Sequence, residues 1–123
     1  MDMASLKKVL VAEDDYSTRM LIEKLLKKMD YDVFSAENGA ICLEKARENK
    51  PDLVLLDIVM PEKNGLEVLQ ELKSDDTFKS TAILMLSAQG EKKIVQNALL
   101  LGVDDFVVKP FNIKDLAARV KLQ

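Results

Sequence analysis

Charged and hydroxyl side chains follow several short apolar segments of the sequence, directly where each segment ends. The first apolar segment is followed by an acidic run at 13–15, and a later one is followed by Asp57. Two further segments lead into Ser87 and Lys109. If these segments are parallel strands of one sheet, their carboxyl ends meet at the same edge, where such sheets bind ligands. The sequence therefore predicts a cluster of aspartates, one hydroxyl and one ammonium group.

This set of groups suits the transfer of a phosphoryl group. Converging carboxylates repel one another, so such a cluster either raises its pKa values or binds a hard cation, and oxygen ligands with retained water fit Mg²⁺. A carboxylate beside Mg²⁺ can attack phosphorus in line while cations neutralise the equatorial oxygens. A lysine and a hydroxyl can contact the same oxygens. The pattern favours a phosphate acceptor.

Each residue also has an ordinary structural interpretation. A single Asp can cap a helix or end a strand, and Lys109 alone could form a solvated ion pair. Ser87 could cap the next helix, or it could be a movable donor for an incoming anion. Pro110 after Lys109 favours a tight turn with a cis peptide bond that aims the ammonium inward. Because all of these residues follow predicted strands, we favour a shared role in phosphoryl transfer over separate structural roles.

Short apolar runs alternate with amphipathic stretches along the whole chain. Near-continuous apolar character is typical of strands covered on both faces, and it predicts strands at 9–12, 33–36, 53–56, 83–86 and 106–108. Helical spacing of apolar residues predicts helices around 18–29, 40–46 and 66–72, with two more at 91–101 and 112–122. The alternation predicts an α/β fold, a doubly wound five-stranded parallel sheet flanked by five helices.

The composition excludes several classes of function. The chain has 123 residues, the size of a single domain, with no His and one Cys. Zinc sites with nitrogen or sulfur ligands, imidazole catalysis and disulfides are therefore excluded. A net charge of −3 argues against nucleic-acid binding. The apolar runs are too short for a membrane span and no signal peptide is evident, so we expect a cytoplasmic protein.

Four segments together resemble the receiver domain of two-component response regulators. They are VLVAEDD at 9–15, LVLLDIVMP at 53–61 followed by NG at 64–65, ILMLSA at 83–88 and GVDDFVVKPF at 102–111. The resemblance covers 8–122. It implies a flavodoxin-like sheet with strand order 2-1-3-4-5 in a single domain over 1–123. It also implies a regulatory domain, not an enzyme, that takes a phosphoryl group from a histidine kinase or phosphotransfer protein.

The resemblance assigns the acidic residues. It implies that Asp57 is the phosphorylation site and that Asp14 and Asp15 form the acidic pocket. Asp15 and Asp57 would bind Mg²⁺ directly, with the backbone carbonyl of Val59, while Asp14 would act mainly through water. We place Glu13 at the last position of the strand and expect it to stay outside the metal site.

The remaining roles also come from the resemblance. Ser87 would be the switch hydroxyl, and Lys109, before a cis Pro110, would contact the phosphoryl group. Phe106 would be the rotating aromatic residue of the fifth strand, where the family often has Tyr.

Two positions are expected to tune the loss of the phosphoryl group. In the family they lie two residues beyond the acceptor and two beyond the switch hydroxyl, closest to the attacking water. Here they are Val59, which cannot hydrogen-bond that water, and Gln89, which can. We therefore expect a moderately long-lived phosphorylated state.

The surface around the fourth helix is the expected signalling face. Leu99, Leu100 and Leu101 are consecutive, so at about 100° per residue one of them must point away from the core. We expect a phosphorylation-dependent homodimer or partner contact through Leu99, Leu100 and Phe106. Charged neighbours would set its register: Lys92, Lys93 and Arg119. An output domain or a partner protein is expected to receive the signal. The last helix ends without a stop signal, so we expect the chain to be a fragment of a longer one.

Two alternative functions are weighed against the receiver domain. An aspartyl-phosphate phosphatase of the haloacid dehalogenase type needs a second Asp two residues after its nucleophile, and that position is Val59. A flavodoxin-like cofactor binder needs a first turn that accepts phosphate, whereas 13–17 is acidic and contains no Gly.

Overall fold

A computed structural model describes residues 6–60, 63–88 and 92–123. Within these ranges, five strands and five helices alternate along the chain, with one short 3-10 helix before the fourth strand. In chain order they are β1 Lys8–Ala12, α1 Tyr16–Lys28, β2 Asp32–Ala36, α2 Gly39–Asn49, β3 Leu53–Asp57, α3 Gly65–Ser74, the 3-10 helix Asp76–Phe78, β4 Ala82–Ala88, α4 Lys92–Leu100, β5 Asp105–Lys109 and α5 Ile113–Lys121.

The strands form one parallel sheet in the order β2-β1-β3-β4-β5. This order confirms the predicted doubly wound α/β fold. The central strand β3 is buried along its whole length. Its register with β4 pairs Asp57 with Leu86, so Ser87 lies one residue further along, at the same edge of the sheet.

Two apolar layers lie on opposite faces of the sheet. On β3, Val54 and Leu56 belong to one layer, while Leu53 and Leu55 belong to the other. Strands covered on both faces need apolar side chains at every position, which explains the unbroken apolar runs in the sequence. None of the helices in the described part of the chain is long and apolar enough to span a bilayer.

Polar caps fix where the helices begin. The side chain of Asn38 accepts a hydrogen bond from the backbone of Ile41 at the start of α2, and Asn112 accepts one from Lys114 at the start of α5. A capping box starts α3, because Asn64 and Glu67 bond each other's backbone. These caps set the ends of the loops that face the carboxyl edge of the sheet.

Gly65 allows α3 to begin close against the end of β3. A Cβ atom at this position would lie only 2.3 Å from the backbone oxygen of Asp57. The Gly65 amide instead donates to the backbone oxygen of Ile58 at 2.8 Å. This contact holds the first residue of α3 next to Ile58, directly after β3.

Candidate functional site

Three carboxylates from two strand ends meet at the carboxyl edge of the sheet. One carboxylate oxygen from each of Glu13, Asp14 and Asp57 lies within 4.8 Å of the others. We call these three residues the acidic cluster. Glu13 and Asp57 are buried, whereas Asp14 is exposed. The cluster therefore has a buried base and an open side that faces solvent.

Lys109 provides the positive charge at the base of the acidic cluster. Its Nζ atom lies 2.6 Å from Glu13 Oε1 and 3.1 Å from Asp57 Oδ2. The Lys109–Pro110 peptide bond is cis. One ammonium thus bridges two carboxylates that come from different strands.

The structure places the side chains of the acidic run differently from the sequence-based expectation. Glu13, which we expected to lie outside the site, belongs to the acidic cluster. Asp15, which we expected to bind the metal, caps α1: its Oδ2 accepts from the Thr18 backbone N–H at 2.9 Å and from the Thr18 hydroxyl at 2.6 Å. The hydrogen bond from the Thr18 side chain helps to lower the pKa of Asp15. The different positions of Glu13 and Asp15 follow from where β1 ends and α1 begins. The Glu13 amide still donates to Ala36 of β2 at 3.1 Å, so Glu13 remains attached to the sheet, whereas Asp15 is already the cap of α1.

The sequence contains a pattern that predicts Asp15 as a helix cap and Glu13 as a member of the acidic cluster. Asp15 and Thr18 have the spacing of an N-cap residue and the third residue of a helix, which commonly hydrogen-bond each other. Assigning Asp15 to that cap leaves Glu13 and Asp14 as the acidic pair beside Asp57.

The electrostatics of the site show an excess of negative charge. Burial raises the pKa of Glu13, the contact with Asp57 raises it further, and Lys109 only partly opposes this shift. Partial desolvation of the Asp14 carboxylate and the neighbouring Glu13 also raise the pKa of Asp14. Burial alone would lower the pKa of Lys109, but its hydrogen bond to Glu13 and the charge of Asp57 raise it. Three carboxylates around one ammonium favour the binding of a hard cation.

Ser87 brings a buried hydroxyl to the same edge. Its side chain is almost fully buried, and its Oγ has no hydrogen-bond partner among the residues that the structure describes. A buried polar atom without a partner is costly and rare in native structures. Ser87 is therefore suited to bond a group that enters the site.

The other predicted site residues lie around this edge. Val59 is two residues beyond β3, and its side chain is 62% exposed. Phe106 on β5 is half-buried and packs against one of the two apolar layers. Gln89 lies outside the described residues.

Comparison with known proteins identifies the family. Residues 9–121 match the response regulator receiver domain. The chain is 42% identical over 105 residues to the chemotaxis protein CheY of Bacillus subtilis, a match that covers 85% of this chain and 86% of CheY. It is 39% identical over 115 residues to the alkaline phosphatase synthesis transcriptional regulatory protein PhoP of the same organism, covering 94% of this chain and 47% of PhoP.

The fold agrees with this match. The solved structure of the chemotaxis response regulator CheY4 of Vibrio cholerae has a TM-score of 0.90 and 29% identity, with 96% of this chain and 98% of that chain covered. The chain belongs to the receiver domain family of two-component response regulators. It spans about half the length of PhoP and of several other curated relatives. Of the three classes weighed from the sequence, the family assignment selects the regulatory receiver domain.

Proposed function

We propose that this domain is a phosphorylation switch in which Asp57 accepts a phosphoryl group from the phosphohistidine of a kinase or phosphotransfer protein. The observation that carries the proposal is the position of Asp57 at the end of the central strand, within the acidic cluster and 3.1 Å from Lys109. In the reaction, an Asp57 oxygen forms a bond to phosphorus, and the bond between phosphorus and the imidazole nitrogen breaks. The released imidazole takes up a proton. These 123 residues contain no His, so the phosphohistidine lies outside them.

The acidic cluster fits Mg²⁺. Glu13, Asp14 and Asp57 offer only oxygen ligands, and the open side at Asp14 leaves room for water, as Mg²⁺ sites require. Together with the backbone carbonyl of Val59, these residues would hold the ion. When bound, Mg²⁺ would neutralise the charge that develops on the transferred phosphoryl group.

Lys109 and Ser87 would hold the phosphoryl group after transfer. Lys109 now pairs with Asp57 and Glu13, and a phosphoryl oxygen on Asp57 would offer its ammonium a more strongly charged partner. The Ser87 hydroxyl, buried and without a described partner, would donate to another phosphoryl oxygen. These new bonds would shift Ser87 near the end of β4, and Phe106 on the neighbouring strand β5 would adjust.

The signal would leave the domain through the surface formed by α4, β5 and α5. Leu99 and Leu100 on α4 are exposed, and Val108 on β5 is also exposed. Arg119 already pairs with Asp105 at 2.8 Å and with Asp115 at 3.4 Å. An output domain, a partner protein or a second copy would bind this surface, in a cytoplasmic signalling pathway without contact of this domain with nucleic acid or membrane.

Loss of the phosphoryl group would be slow. The exposed side chain of Val59, two residues beyond β3, is apolar and cannot orient an attacking water. Gln89 would be the second tuning residue.

A phosphodonor experiment tests the proposal. The protein is incubated with acetyl phosphate and Mg²⁺, and intact mass spectrometry should show the gain of one phosphoryl group. Asp57→Ala and removal of Mg²⁺ with EDTA should each abolish this gain. Asp52→Ala is the matched control, because Asp52 lies just before the same strand at the opposite edge of the sheet. Full labelling of Asp57→Ala would overturn the proposal.

A further inference from the structure

Arg19 connects α1 to the loop that carries two members of the acidic cluster. Its Nη1 atom donates to the backbone oxygen of Glu13 at 2.8 Å and lies 3.4 Å from the backbone oxygen of Asp14. Arg19 thus contacts the main chain of both residues without contacting either carboxylate. Hydrogen bonds from a charged donor are among the stronger ones in proteins.

The guanidinium group of Arg19 is itself held in place. Its Cζ atom lies 5.6 Å from the centre of the Tyr16 ring, within the range of a cation–π interaction. The backbone N–H of Arg19 donates to the backbone oxygen of Asp15 at 2.9 Å. On the other side of the loop, the Glu13 amide donates to Ala36 of β2. The loop is therefore fixed by β2 on one side and by Arg19 on the other.

Arg19 and Lys109 act on the acidic cluster in different ways. Lys109 pairs directly with carboxylate oxygens, so its bonds must change when a cation or phosphoryl group enters. The bonds of Arg19 go to backbone oxygens and need not change. We propose that Arg19 is a positioning residue that holds Glu13 and Asp14 in the geometry that binds the divalent cation. This inference rests on the proposed function, because it concerns the residues that would hold Mg²⁺.

Lys45 offers a matched control for the charge of Arg19. Both side chains line a polar cavity of about 220 Å³ beside β2. Lys45 Nζ also donates to a backbone oxygen, at 2.5 Å, but that oxygen belongs to Ser35 on β2. It does not belong to the loop that carries Glu13 and Asp14, which we call the acidic loop. Removing either side chain deletes one positive charge and its hydrogen bonding to backbone oxygens, but of the two side chains it is Arg19 that contacts Glu13 and Asp14.

The experiment measures Mg²⁺ affinity by isothermal titration calorimetry of the unphosphorylated protein. Arg19→Met keeps the aliphatic part of the side chain but cannot donate, and we expect it to weaken Mg²⁺ binding about tenfold. Arg19→Lys restores one donor and should recover a large part of that loss. Lys45→Met should bind Mg²⁺ within about twofold of wild type, because the acidic loop keeps its contacts. Arg19→Gln, too short to reach both oxygens, should behave like Arg19→Met.

Amide NMR spectra of the metal-free protein provide a second readout. Arg19→Met should shift the resonances of 13–15 and leave most of the sheet unchanged, whereas Lys45→Met should not shift those resonances. Arg19→Met and Arg19→Gln that bind Mg²⁺ as wild type does would overturn the inference and leave the proposed function intact. Equal weakening in Lys45→Met, or no recovery in Arg19→Lys, would also overturn it. A wild-type protein that binds no Mg²⁺ would contradict both the inference and the proposed function.

Discussion

Glu13 and Asp15 are two positions apart in the chain but have opposite environments. Glu13 is fully buried and bonded to Lys109, while the carboxylate of Asp15 is exposed and caps α1. We expect Glu13→Gln to weaken Mg²⁺ binding about tenfold or more, because it removes one charge from the acidic cluster. Asp15→Asn should keep the affinity within about twofold, since this residue lies outside the cluster.

Calorimetric titration with Mg²⁺ checks this pair of variants, and thermal unfolding without Mg²⁺ controls for folding. A larger loss of affinity in Asp15→Asn than in Glu13→Gln would return the site to the assignment made from the sequence.

Val59 should control how long the phosphorylated state lasts. Its exposed apolar side chain cannot hydrogen-bond a water, whereas an amide at this position can orient one for attack on phosphorus. We expect Val59→Asn to speed dephosphorylation by about tenfold, within the range of positioned proton-transfer groups. The release of inorganic phosphate from purified phosphoprotein gives the rate. Leu100→Asn, an exposed change on α4, is the control, and equal rates in both variants would remove this role of Val59.

The burial of the Glu13 carboxylate is a feature that the sequence alone does not predict. Asp14, Asp57, Ser87 and Lys109 could all be placed at one edge, because each follows a predicted strand. Glu13 follows a predicted strand as well, but its burial could not be predicted from its position, because that burial depends on Lys109, which is 96 positions away in the chain. A buried acid is stable only with such a partner, and local patterns do not reveal long-range partners.

The order of the strands and the first residues of the helices could be predicted from the sequence more accurately than the last residues of helices and strands. The apolar run of β4 stops at Leu86, but the strand continues to Ala88 because Ser87 and Ala88 still pair with Val108 and Lys109 of β5. That pairing again depends on distant residues. Its consequence is functional, since Ser87 is held inside the sheet and not in a loop.

The end of α2 gives a prediction about stability. Lys50 has a φ of 47° and lies in the left-handed region, where its amide donates to Ala46 at 2.8 Å. A glycine adopts this conformation without steric cost, so Lys50→Gly should stabilise the domain by about 0.5–1 kcal/mol. The exposed position Glu48, inside the same helix, is the control, and Glu48→Gly should destabilise by about 1 kcal/mol.

Urea unfolding of the metal-free protein measures both changes. If Lys50→Gly and Glu48→Gly lowered the free energy of unfolding equally, the left-handed conformation of Lys50 would carry no strain.

At the scale of the whole molecule, the face formed by α4, β5 and α5 should respond to phosphorylation. Leu100 is 86% exposed and Leu99 is 52% exposed, and both lie on the helix that follows the segment after Ser87. We expect the beryllofluoride-treated protein to self-associate more strongly than the untreated protein, and Leu100→Glu to abolish the difference because a charge resists burial in an apolar contact. Sedimentation of both proteins, with and without beryllofluoride, measures the masses. Identical masses in all four samples would exclude self-association and leave docking of another protein as the use of this face.

Asp57 alone is expected to accept the phosphoryl group. Borohydride reduces an acyl phosphate to an alcohol, so phosphorylated Asp57 becomes homoserine and can be located by peptide mass spectrometry. After treatment with acetyl phosphate and Mg²⁺, homoserine is expected at position 57 and nowhere else, and it should be absent when EDTA is present. Homoserine at position 14 or 15, or labelling that leaves Asp57 unreduced, would contradict the assignment of Asp57 as the phosphorylation site.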